Sequence, residues 1–215
     1  MTKVKICGLT QAETMQAAIE AGADYLGFVF YPASKRYIDP ETCAKLIQDI
    51  PDTATTVGLF VDPDDELLES VLNRVKINMV QLHGDETPQR ASEIKAKFAL
   101  PIIKAIRIAS QEDLASVKDY QGIIDAIMFD TKLSDSPLPG GTGQSFDWGL
   151  LENYDPTMTW FLAGGLTPEN VSHALSILTP DVVDVSSGVE NAPGQKDENK
   201  IRDFIKAVQS HDQSQ

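Results

Sequence analysis

The chain has 215 residues, 42% of them hydrophobic, and a formal net charge of -14 at pH 7. That length suits one large globular domain with a sizeable core and leaves two domains cramped. The charge excludes a nucleic-acid or anionic-membrane surface, because either partner would be repelled over about 8 Å at physiological salt, so any anionic ligand must be held by local groups.

In chain order, eight short runs rich in β-branched and aromatic residues read as strands: "VKIC", "YLGFVF", "TVGLFV", "MVQLHG", "PIIKAIR", "AIMFDT", "WFLAGG" and "VVDVSSG". Their starts fall near Lys5, Tyr25, Val57, Met79, Ile102, Ala126, Trp160 and Val183. Amphipathic helical stretches lie between them: "QAETMQAAIEAGA", "PETCAKLIQDI", "DDELLESVLNRV", "TPQRASEIKAKF" and "TPENVSHALSIL". Several open on Thr or Asp caps or on an early proline, and "KDENKIRDFIKAVQS" reads as the last helix. A strand-helix spacing of about 20 to 34 residues between eight successive strand starts predicts a closed (β/α)8 TIM barrel, one α/β domain over residues 1–215. A doubly wound sheet is the alternative. It lacks a GxGxxG directly after a strand, since "GGTG" at Gly140 to Gly143 follows its strand by about ten residues. The stretch "LSDSPLPGGTGQ" reads as a long loop of the barrel and not as a linker.

Side chains alternate across a strand, so the pattern also assigns faces. Ile6, Val80, Leu82, Ile127, Phe129, Val183 and Val185 share a phase suited to packing under helices. Cys7, Gln81, His83, Asp130, Asp184 and Ser186 share the other, at the C-terminal ends of strands, where such barrels carry their active sites. Each also has a plain structural reading: a buried small thiol, a helix-capping histidine, carboxylates that orient their own loops. Cys43, within a helix pattern, keeps that reading. Arg36, in "YPASKRYID", reads either as a solvated loop charge or as a bidentate carboxylate ligand at the mouth. Glycines in "GGTG", "AGGLTPEN" and "SSGVE" let backbone N–H groups approach an anion, and Thr167-Pro168 is expected to start a helix whose N-terminus adds donors. A phosphate suits that place; tight turns are the alternative use of the glycines.

The motifs "KICGLT", "GFVFYPASKRY", "VQLHGDE", "FDT", "GGTG", "LAGGL", "DVSSGVE" and "PGQKD", in this order over nearly the whole chain, resemble those of the phosphoribosylanthranilate isomerases of tryptophan biosynthesis. The resemblance implies an Amadori rearrangement of N-(5-phosphoribosyl)anthranilate without a metal or organic cofactor, with Cys7 as general base and Asp130 as general acid. It further implies that Arg36 binds the anthranilate carboxylate, that Asp184 assists near the ribose, and that Gly143, Gly165, Ser187 and Gly188 surround the phosphate; Gln81 and His83, from their shared inward phase, are expected to bind substrate as well. A thiol ordinarily titrates near about 8.5 and an aspartate near about 3.9, so the site is expected to favour the Cys7 thiolate and a protonated Asp130. The expected partner is a small phosphorylated molecule, with no nucleic acid and no membrane. The expected assembly is a monomer, with a homodimer as the alternative, and the stand-alone enzyme without a fused synthase. Two widely spaced cysteines and no signal-peptide pattern predict a cytoplasmic protein with reduced thiols. Competing readings are the histidine-pathway isomerase, whose family has aspartate where Cys7 stands, and a catalytically silent phosphate-binding barrel.

Overall fold

The structure, a computed structural model, describes residues 1–48, 50–131, 148–152, 154 and 157–214. Eight parallel strands form a closed barrel in sequential order. They are β1 (Lys3–Cys7), β2 (Tyr25–Val29), β3 (Thr55–Phe60), β4 (Met79–Leu82), β5 (Ile102–Ile108), β6 (Ala126–Thr131), β7 (Thr159–Leu162) and β8 (Val182–Val185). Each expected strand start lies inside or at the edge of one of them. Closure is direct: Lys5 of β1 pairs with Tyr25 of β2 on one side and Asp184 of β8 on the other. An antiparallel hairpin follows, with strands β9 (Glu190–Ala192) and β10 (Gln195–Lys196).

The helices are α1 (Ala12–Ala21), α2 (Pro40–Leu46), α3 (Asp65–Leu72), α4 (Pro88–Phe98), α5 (Val171–Ile177) and α6 (Glu198–Asp212). Local chemistry explains their ends. The side chains of Asp39, Asp64, Thr87 and Asp197 accept backbone N–H groups in the first turns of α2, α3, α4 and α6, each contact contributing about 1 kcal/mol. Gly22 ends α1 at φ 97°. One expectation is corrected. Thr167-Pro168 starts a turn, and α5 begins only at Val171; Asn170 ties that turn together, its Oδ1 accepting the Thr167 N–H at 2.8 Å and its Nδ2 donating to the Gly165 carbonyl at 2.9 Å. Between β5 and β6 the chain forms a 3-10 segment over Gln111–Tyr120. Among the described residues no helix is long and apolar enough to cross a membrane.

The two faces separate as alternation requires. Ile6, Val80, Leu82, Ile127, Phe129, Val183 and Val185 pack against helix residues such as Val71, Ile94, Val171 and Phe204 in the main core. The lower barrel interior is a second apolar cluster that includes Val57, Ile103, Met128, Phe161 and Val182, with Tyr25 set edge-on to Phe161. At the N-terminal rim a polar contact recurs. Asp24, Asn78, Asp125 and Asp181, each just before an even-numbered strand, accept the N–H of Val4, Thr56, Ile102 and Trp160 at the start of the preceding strand, at 2.8 to 3.2 Å.

Candidate active site

The C-terminal mouth is where the inward side chains become polar. Cys7 is the last residue of β1, and its thiol occupies space left by Gly27 on β2, where a Cβ would come within 3.0 Å of Sγ. Gly8 then turns the chain at φ 81°, and the stem of Arg36 lies across it, so close that a Cβ there would meet Arg36 Cδ at 2.7 Å. Glycine is needed at both positions, one for the thiol and one for the arginine.

Across the mouth, His83 Nε2 lies 3.1 Å from Asp130 Oδ2 and its Nδ1 lies 2.9 Å from Gln81 Nε2. An amide nitrogen only donates, so in this arrangement Nδ1 accepts and Nε2 carries the proton toward Asp130. Gln81 Nε2 also lies 3.3 Å from Met128 Sδ, while Gln81 Oε1 is buried with no partner among the described residues. A buried acceptor left unpaired costs about 1–3 kcal/mol, which makes it a ready acceptor for a ligand hydroxyl or N–H. The helix-capping reading of His83 falls away, since Thr87 caps α4.

Behind these residues stands a second buried pair. Lys104, on the outer face of β5, is 2.7 Å from Glu86 Oε2 and 2.8 Å from the Gly84 carbonyl. Glu86 Oε1 in turn accepts the N–H groups of Asp62 and Gly84, and Tyr120 donates to the Glu86 carbonyl. The turn after His83 is thereby tied to β5 and to the loop after β3. Arg107 adds a contact to Asp85 on the same turn.

Around Cys7 the sequence reading missed three charged groups. Lys5, fully buried below the thiol, pairs with Asp184 Oδ1 at 2.6 Å. Lys196 of β10 pairs with Glu190 of β9 at 2.6 Å and donates to the Ser186 carbonyl and hydroxyl, while Ser186 Oγ donates to the Cys7 carbonyl at 3.0 Å. Arg36 forks onto Glu190, Nε to Oε1 at 2.7 Å and a terminal nitrogen to Oε2 at 2.8 Å. Its charge is therefore not solvated: the side chain is 13% exposed. A usable signal for Lys5 existed in the sequence, since it stands two residues before Cys7 and so shares its face.

The expected bias toward a Cys7 thiolate is corrected. Burial pushes the thiol up, and although Lys5 and Lys196 pull it down, Asp184 adds to the rise. Burial also works against the Lys5 ammonium, but Asp184 and Cys7 together raise it. Cys43, buried in α2, is pushed up to about 12 by desolvation and then by Asp39. The structural reading fits this residue.

The loops after β7 and β8 meet tightly. Gly188 lies so close to the carbonyl of Leu166 that a Cβ would approach its oxygen within 1.9 Å. Gly164 and Gly165 have φ of 83° and 70°, and their N–H groups have no acceptor among the described residues. Ser187 and Gly188 are half-buried beside them. Gly143 lies outside the described residues. Among those described, no group of three or more His, Cys, Asp and Glu side chains could hold a metal ion.

Comparison with known proteins bears on this arrangement. A family model for N-(5'-phosphoribosyl)anthranilate (PRA) isomerase matches residues 4–207. The N-(5'-phosphoribosyl)anthranilate isomerase of Paracoccus denitrificans is 50% identical over 203 residues, 94% of each chain. Monomers of the dimeric phosphoribosylanthranilate isomerase of Thermotoga maritima superpose with a TM-score of 0.85 at 39% identity, covering 98% of this chain and 100% of that one. A phosphoribosyl anthranilate isomerase in complex with reduced 1-(o-carboxyphenylamino)-1-deoxyribulose 5-phosphate gives 0.86 at 38% identity, with the same coverage.

Proposed function

The chain belongs to the N-(5'-phosphoribosyl)anthranilate isomerase family, and from that premise we propose that Cys7 and Asp130 divide the proton transfers of its reaction between them. It isomerises N-(5-phosphoribosyl)anthranilate to 1-(2-carboxyphenylamino)-1-deoxyribulose 5-phosphate in tryptophan biosynthesis. The observation that carries the assignment is the placement of a thiol and a carboxyl on the inner face at the ends of β1 and β6.

Asp130, protonated, donates to the ribose ring oxygen as the C1′–oxygen bond breaks and the anilino nitrogen forms a Schiff base. Cys7, as thiolate, removes the C2′ proton; the C–H electrons form the C1′–C2′ double bond and neutralise the nitrogen. Transfer of the enol proton and protonation of C1′ complete the ketose. The His83 N–H, aimed at Asp130 and held by Gln81, orients the acid and stabilises the carboxylate it leaves. The unpaired Gln81 oxygen accepts from the ribose chain. Arg36 binds the anthranilate carboxylate with its Glu190 fork as backing, and Asp184 lies beneath the ribose. The N–H groups of Gly165, Ser187 and Gly188, with Gly143, hold the phosphate. Residues 1–215 act as one (β/α)8 domain and as a monomer, with the dimer as the alternative that sedimentation decides. The cytoplasm keeps both free thiols reduced.

Turnover of N-(5-phosphoribosyl)anthranilate by Cys7→Ala and Asp130→Asn tests the roles. Both should lose most of kcat and keep substrate affinity. Given a preformed ring-opened Schiff base, Asp130→Asn should recover in part and Cys7→Ala should not. The reverse pattern would make Asp130 the base and Cys7 structural.

A further inference from the structure

Lys5 is a buried cation for which the proton transfers above have no use. It stands two residues before Cys7 on β1, and alternation turns both side chains into the barrel. Its side chain is wholly excluded from solvent and lies 2.6 Å from Asp184 Oδ1, and its charge and that of Cys7 act on each other. Stability alone does not account for it, since apolar residues of similar volume often replace a buried ion pair without loss. An ammonium has three donors and can serve a carboxylate and a sulfur together.

We propose that Lys5 is a positioning residue for Cys7, its ammonium, fixed by Asp184, being the counterion of the thiolate that takes the C2′ proton. This rests on the reading of Cys7 as the base.

Among the described residues, the charged groups that act on the thiol come from three elements: Lys5 from its own strand, Asp184 from β8 and Lys196 from β10. Lys196 is held by Glu190, a carboxylate shared with Arg36, so its charge is only partly neutralised there. Burial works against the thiolate, and the two lysines act against burial. Lys5, on the strand of Cys7 itself, has the larger effect of the two. Removing it should therefore raise the Cys7 midpoint, and removing the charge of Asp184 should lower it.

Alkylation by iodoacetamide against pH reads the thiolate without requiring turnover. Cys43→Ala serves as the background, leaving a single thiol, and thermal melts confirm folding. In Lys5→Met the alkylation midpoint should rise by at least about one pH unit, an about tenfold loss of thiolate at neutral pH, and the acid limb of kcat/KM should rise with it. In Asp184→Asn the midpoint should fall. A residue of merely structural importance would not move the midpoint in opposite directions with its partner. An unchanged midpoint in folded Lys5→Met overturns the proposal. If that variant does not fold, Asp184→Asn decides: a fall supports the counterion role, and an unchanged or higher midpoint overturns it. Failure of both to fold would overturn it in favour of a purely structural pair. Should Cys7→Ala keep its turnover while both midpoints move as stated, the base assignment fails and the electrostatic coupling stands.

Discussion

Replacing Lys104 by methionine should cost the fold about 3–5 kcal/mol, the range for removing one partner of a buried ion pair. Its ammonium reaches Glu86 and the Gly84 carbonyl, and the side chains are 2% and 1% exposed. Methionine keeps most of the volume, so little of the loss comes from a cavity. The cost arises from the Glu86 carboxylate, left in a dry site with the N–H groups of Asp62 and Gly84. At about 2–4 °C per kcal/mol for a chain of this size, Tm should drop by roughly 6–20 °C. Turnover should fall too, because Glu86 anchors the residue after His83. Adding Glu86→Gln to Lys104→Met should restore much of the stability, since a neutral amide can still accept both N–H groups through one oxygen and its nitrogen can face the Gly84 carbonyl. Urea unfolding of the two single variants and the double variant at pH 7 gives the cycle. A Lys104→Met loss below about 1 kcal/mol, or a double variant no more stable than Lys104→Met, would refute the reasoning.

Gly188→Ala should force the loop after β8 away from Leu166 by about 1 Å, and displacement of that size can cost about a hundredfold in rate; unchanged kcat/KM would separate this contact from the phosphate site. Arg36→Ala should raise KM with kcat largely kept, because it touches a carboxylate remote from the proton transfers; collapsed kcat at constant KM would place Arg36 in the chemistry. Burial works against the Glu190 carboxylate, yet Arg36 and Lys196 together hold it below its ordinary value of 4.5. Its stabilisation is therefore complete above that value and is lost as pH falls through the lower folded one. Glu190→Gln should lack this acid-side loss, and identical acid limbs of Tm against pH in the two proteins would refute it.

Much of the architecture was legible because it depends on local patterning. The alternation around "VQLHG" and "AIMFD" assigned Val80, Gln81, Phe129 and Asp130 to their faces, and Pro40, Asp64 and Thr87 announced their helices. The helix expected at Thr167 begins instead at Val171, after a turn whose Thr167 N–H and Gly165 carbonyl are both bonded to the Asn170 side chain. What patterning does not encode is which charges meet. Lys5 and Asp184 stand 179 positions apart and Arg36 and Glu190 stand 154 apart, so each pairing appears only once the barrel closes. The rise of the Cys7 thiol was hidden for the same reason, since it reflects burial beneath loops from both ends of the chain.

The carboxylate and amide contacts at the N-terminal rim divide the barrel into quarters. Asp24 joins β1 to β2, Asn78 joins β3 to β4, Asp125 joins β5 to β6, and Asp181 joins β7 to β8. A chain opened after β2 or after β4 keeps each clasp within one covalent piece, whereas a cut between β1 and β2 separates Val4 from the aspartate that holds it. New termini for a circularly permuted enzyme therefore belong at the seams between quarters. The rim that carries no chemistry is assembled from equivalent cassettes, while the opposite rim, where Cys7, His83 and Asp130 gather, is irregular; its loops are free to diversify because the repeated floor clasps each pair of strands without them.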